Sequence, residues 1–72
     1  MLNVGLTAYL LFGQAMPSLA HSDDKWGIID CLHADDNDLA IDFLIDYIDK
    51  HQVQVDPDLL SHARMISDQR HY

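Results

Sequence analysis

The sequence predicts an all-α fold, a small three- or four-helix bundle around an apolar central helix. Three observations carry that expectation. From Asp38 to His51 the apolar residues recur with helical period over about two-thirds of the circumference. Asp56-Pro57-Asp58 has the form of a helix start, with an Asp cap, Pro at the first helical position and an acid in the first turn. The alternating stretch Gln52 to Val55 is short enough to read as an extended linker rather than a strand.

With 72 residues, 49% of them apolar, the chain suits a single domain, residues 1–72, with a small core. A domain of this size buries only about 60% of the surface its unfolded chain exposes. Cover from a partner or a second copy would therefore add stability.

The first helix is expected from about Asn3, its cap, to about Phe12. Leu2, Leu6, Tyr9 and Leu10 are placed on its inward side, with Val4 and Leu11 widening the stripe. Gly13 reads as its stop and Pro17 lies just beyond, which leaves residues 14–21 as a connection, with a short turn of helix after Pro17 as an alternative. The same stretch has an alternative reading as an export signal, because Ser18-Leu19-Ala20 fits a small-x-small cleavage site after an apolar run. No Lys or Arg precedes that run, and cleavage after Ala20 would leave 52 of the 72 residues, few for a domain without disulfides. The core-helix reading is preferred. The run is also shorter than the roughly 20 residues a bilayer requires, so no membrane partner is expected.

Ser22 is expected to cap the second helix, with Asp23 and Asp24 at the positive end of its dipole. Trp26, Ile28, Ile29 and Leu32 are placed inward, and the helix stops near His33. Gly27 and the β-branched pair leave a short strand over residues 28–32 as the alternative. Asn37 or Asp36 then caps the central helix. Counting from Asp38, Asp42, Asp46 and Asp49 fall at roughly 40°, 80° and 20°. They form one acidic strip, and Leu39, Ala40, Ile41, Phe43, Leu44, Ile45, Tyr47 and Ile48 fill the remaining circle. In the last helix Leu59, Leu60, Ala63 and Ile66 make a single stripe, with Arg64 and Arg70 toward the C-terminal end that favours cations.

Twelve acids, all Asp, against four bases give a net charge of −8. That excludes an ordinary nucleic-acid binder, which needs Lys and Arg to displace counterions from phosphates. Asp38 to Asp49 spans about 17 Å of helix. Like charges at i, i+4 cost a few tenths of a kcal/mol per pair, and Asp is a poorer helix former than Glu. The strip is either a solubilising face or a surface shaped for a basic partner. As a binding surface it comprises Asp35, Asp36, Asp38, Asp42, Asp46 and Asp49, which Asp23 and Asp24 could extend. One DNA strand carries a phosphate about every 3.4 Å, so the strip alone is sparser than a duplex backbone.

The remaining motifs point to no cofactor, metal or reaction. A calcium loop starting at Asp36 would place Ala40 fifth and Ile41 sixth, where a ligand and a glycine belong. Cys31-x-His33 lacks a second pair at zinc spacing. The lone cysteine reads as a small core or edge hydrophobe. His51 reads as a capping residue and His62 as an edge residue of the last stripe. Protonation of the five histidines would bring the charge of −8 toward about −3 in mild acid and weaken electrostatic attachment. Three scattered glycines form no phosphate loop, so an enzyme is disfavoured.

The expected function is that of a cytoplasmic acidic binding protein that docks on the basic site of a nucleic-acid-handling protein and inhibits or regulates it. Its composition resembles that of small acidic nuclease inhibitors, immunity proteins and nucleic-acid mimics. The alternative is a structural or assembly subunit, such as a homodimer, with Leu2 to Phe12 or Tyr47 at the interface.

Overall fold

The computed structural model describes residues 3–70, which form helices α1 (Val4–Leu19), α2 (Asp24–His33), α3 (Asn37–His51) and α4 (Pro57–Arg70). The expected all-α bundle is the fold, and α3 is its hub, packed against each of the other three helices. Gly5 of α1 lies beside Asn37, and Ser18 Oγ meets Tyr47 Oη at 2.8 Å, so α1 and α3 run parallel. The Asp42–Ser67 and Asp49–Arg64 contacts show that α4 returns antiparallel to α3.

The greatest departure from expectation is α1, which continues through Gly13 and Pro17 to Leu19 instead of stopping at Phe12. A proline inside a helix costs about 3 kcal/mol through its missing N–H and its clash with the preceding turn. Here Pro17 and Gly13, the residue whose carbonyl loses its donor, are both exposed, so water can satisfy that carbonyl. On the opposite side Leu11, Ala15 and Leu19 are fully buried. Burial of Leu19 alone is worth about 1.5–3 kcal/mol, and the Ser18–Tyr47 hydrogen bond contributes about 1 more. Tertiary burial wins over the local signal.

The buried face of α1 is also rotated from the expected one. Thr7, Ala8, Leu11, Ala15 and Leu19 point inward, while Leu6, Tyr9 and Leu10 are exposed; Leu2 lies outside the described residues. Small side chains at Gly5 and Ala8 let the helices approach closely. A Cβ on Gly5 would come within 3.2 Å of Asn37 Nδ2. Thr7, though buried, donates from its hydroxyl to the Asn3 carbonyl, and Asn3 caps α1 by accepting from the Leu6 N–H.

In α2 the capping position falls to Asp23, and Ser22 Oγ accepts from the Asp24 N–H at 3.2 Å. Ile28 and Cys31 are buried, Ile29 and Leu32 half-buried, and Trp26, expected inward, is 59% exposed. The indole lies beside the Lys25 ammonium, 5.2 Å from the ring centre, while that ammonium donates to the Ala20 carbonyl at the end of α1. In α3 the apolar face is buried much as expected, with Ala40, Ile41, Leu44, Ile45, Tyr47 and Ile48 in the core and Phe43 left partly outside. Tyr47 is only 5% exposed and stacks near His51, so it packs within the core. The linker is extended, with Val53 and Val55 resting on the core. The start of α4 closes as expected, the Asp58 N–H donating to Asp56 Oδ1 and the Asp56 N–H to Gln14 Oε1 of α1.

Two helices end on a left-handed residue that is not glycine. Asp35 (φ 58°) and Gln52 (φ 52°) turn the chain after α2 and α3. The Asp36 N–H returns to the Cys31 carbonyl and the Val53 N–H to that of Ile48, the six-to-one bond of a Schellman ending. A side chain at such a position costs about 1 kcal/mol or more relative to glycine. Asp35→Gly should therefore raise the melting temperature by roughly 4–8 °C, and Asp35→Val should lower it. Thermal unfolding followed by circular dichroism checks both.

Candidate functional site

The acidic surface is best judged by asking which aspartates the fold already employs. Asp24, Asp38 and Asp58 occupy first turns of helices, where the dipole favours a negative charge. Asp23 and Asp36 stand at capping positions without a side-chain capping bond, and Asp56 caps α4. Asp35 makes the left-handed turn. Asp23 and Asp36 apart, each of these has a local structural role.

The strip on α3 is divided by α4. Asp49 receives both guanidinium nitrogens of Arg64, at 2.5 and 3.2 Å. Asp42 is half-buried and accepts from Ser67 Oγ at 2.6 Å. The hydrogen bond from Arg64 to Asp49 raises the guanidinium pKa; desolvation opposes that shift, and the charges of Asp49 and Asp68 add to it. The four carboxylates thus do not form a uniform free ridge. Asp38 and Asp46 remain exposed, and only Asp46 lacks a capping, dipole or hydrogen-bonding role among the described residues of the strip.

Asp46 sits on a crest. It and Phe43, itself 40% exposed, border two clefts, one on either side of α3. Toward α4 lies a shallow depression of about 280 Å³ among Leu39, Asp42, Ile45 and Ser67. Toward α2 lies a larger cleft of about 880 Å³. Its floor is apolar, made by Gly27, Ile28, Phe43 and Tyr47. Its rim carries Asp23, Asp24, Asp46 and Asp49 against the single cation Lys50.

The antiparallel return of α3 along α2 creates this second cleft, because it sets the first turn of α2 opposite the last turns of α3. Asp23 and Asp24, 22 or more residues before Asp46 in the sequence, thereby join it across the groove. Asp35 and Asp36 are at the opposite end of the helix pair and do not line the cleft. Sequence reasoning placed Phe43 inside the core and gave Gly27 no role. The short turn between His33 and Asn37 was the available signal, since it dictates an antiparallel pair.

Among the described residues no group of three His, Cys or acidic side chains is placed to hold a metal ion, and no helix is long and apolar enough to cross a membrane. Cys31 is buried and free of disulfide. Comparison with family models, curated proteins and solved structures gives no match.

The Arg64–Asp49 pair is about half exposed on both sides, so it should contribute less than about 1 kcal/mol. Arg64→Gln should lower stability by no more than that at low ionic strength, and the difference should vanish near 1 M salt, where the screening length falls to about 3 Å. Ser67→Ala should cost about 1 kcal/mol at either salt. Urea unfolding at the two ionic strengths distinguishes them.

Proposed function

We propose that this protein is a small acidic binding module that docks on the basic site of a nucleic-acid-handling protein in the cytoplasm and inhibits or regulates it. The observation that carries this reading is the Asp46 crest, an exposed carboxylate between two clefts, with no cation paired to it among the described residues. A purely structural or solubilising surface places acids at helix starts and in ion pairs, and most of the other aspartates here fit that description. Asp46 does not. In a chain of net charge −8 it stands where a basic surface, steered by the overall field, would make contact. Asp23 and Asp24 face it across the cleft and Asp38 lies about two turns earlier on α3, whereas Asp42 and Asp49 contribute through groups already held by α4.

The double variant Asp38→Lys/Asp46→Lys moves the charge of −8 halfway to zero without touching a hydrogen bond of the fold. Affinity capture from the native host at low and high salt, with wild type and variant, should recover a nucleic-acid-binding protein only with wild type at low salt. Adding the wild-type protein should then inhibit that partner's nucleic-acid binding. Association should be about tenfold slower for the variant, and an identical partner profile for both proteins would sink the reading.

A second reading, a homodimer, is favoured by one observation on α1. Val4–Leu19 contains no charged side chain, and Leu6, Tyr9 and Leu10 lie exposed at i, i+3 and i+4, Tyr9 to 69%. Two chains this acidic meet at least electrostatic cost through their uncharged faces. Sedimentation velocity should show a concentration-dependent dimer that Tyr9→Lys converts to monomer; a monomer at every concentration removes this reading.

A further inference from the structure

We propose that the cleft between α2 and α3 receives a basic helical segment of the protein's partner, with one apolar side chain on the floor and Arg or Lys against the rim. The inference rests on the acidic-docking reading and names what the site takes. The cleft's volume of about 880 Å³ is at the upper end of the range for ligand pockets and accommodates a bulky side chain together with its neighbours. Two antiparallel helices form its walls, and the groove between such walls is the surface into which the ridge of a third helix fits.

Charge complementarity specifies the occupant. Asp23, Asp24 and Asp46, with Asp49 already paired to Arg64, stand with one ammonium around a floor made of Gly27, Ile28, Phe43 and Tyr47. A second copy of this chain would bring its own negative charge, and a nucleic acid would bring phosphates. A segment with Arg or Lys flanking an aliphatic residue matches both the rim and the floor. Asp24 also lies in the first turn of α2, so the dipole that stabilises it is local and leaves its outer oxygen lone pairs for a donor.

Gly27 supports the same assignment. A Cβ there meets nothing within 4 Å, and its φ is not positive. Neither close packing within the chain nor backbone conformation therefore requires glycine, although it costs about 1 kcal/mol relative to alanine in a helix interior. What glycine does at this position is keep the cleft floor open.

The test uses three synthetic helical peptides of one length: four arginines around a central leucine, the same with the leucine replaced by serine, and the same with the arginines replaced by glutamine. Binding is followed by backbone amide NMR shifts and by the fluorescence of Trp26, which adjoins Gly27. The arginine–leucine peptide should shift Gly27, Phe43 and Asp46. It should bind about tenfold more tightly than the serine peptide, a difference of 1.4 kcal/mol. Gly27→Gln, which fills the floor with a neutral helix former, should weaken it by a similar factor while raising the melting temperature, so that a folding defect cannot account for the loss. If Gly27→Gln and the serine peptide both bind as tightly as their parents, with shifts spread over all the aspartates, the cleft is not the seat and only the general acidic reading survives. If the arginine peptides bind no better than the glutamine peptide at low salt, both readings fall.

Discussion

The constraint on which this structure depends is the need to bury α3. Its apolar residues extend over more than half of its circumference, and among the described residues three helices cover them. The contact with α1 is the most extensive, and its consequences propagate through the molecule. Ile41, Leu44 and Ile48 share one core with Ala8, Leu11, Ala15 and Leu19. To reach both ends of α3, α1 must continue for 16 residues, past a proline that would otherwise end it. Its last turn is fastened by Ser18 to Tyr47, and the side-chain Oε1 of Gln14 receives the Asp56 N–H that begins α4. The length of α1 thus follows from what α3 requires and also fixes where α4 starts.

How much of this was legible depended on how strongly each segment separated its two faces. The third and fourth helices have acids, caps and apolar stripes that agree with one another, and both ends of α3 and the start of α4 follow from the sequence to within a residue, whereas α4 runs on through Gln69 to Arg70, where fraying is expected. The first helix is apolar nearly all round, so periodicity could not choose its face. Side-chain size pointed the wrong way: Leu6, Tyr9 and Leu10 are the larger residues, yet the closest helix contact selects Gly5, Thr7 and Ala8. Trp26 failed for a related reason. On α2 the inward positions are Ile28 and Cys31, and the indole, two residues before Ile28 and so about 200° away around the helix, is left beside Lys25 at the surface.

The acidic surface shows a similar division. Sequence spacing puts four aspartates on one edge of the central helix, and that much follows from a period of 3.6. It carries no information about what stands opposite. Arg64 and Ser67 reach Asp49 and Asp42 only because α4 doubles back, across separations of 15 and 25 residues. The same doubling back, on the other side of α3, brings Asp23 and Asp24 across from Asp46. Tertiary structure therefore removes two members of the strip and supplies two others, and the centre of the free negative surface moves toward α2.

That shift changes what the net charge means. A charge of −8 on 72 residues suggests a uniformly repelling particle, but most of the aspartates answer to the helix they begin or end. At low ionic strength the summed field still draws a cation-rich surface in from a distance, since field strength depends on total charge and not on local function. In the proposed docking, close contact falls to Asp46 and to Asp23 and Asp24 facing it across the cleft, and to what lies between them. Here that is an apolar floor with a glycine in it, bordered by Phe43. Desolvating a carboxylate beside such a floor strengthens its attraction for an arginine relative to water, whereas the exposed Arg64–Asp49 pair gains little from the same chemistry. In the proposed docking, long-range attraction and short-range selectivity thus come from different subsets of the same residue type, and only the second subset depends on how α2 packs against α3.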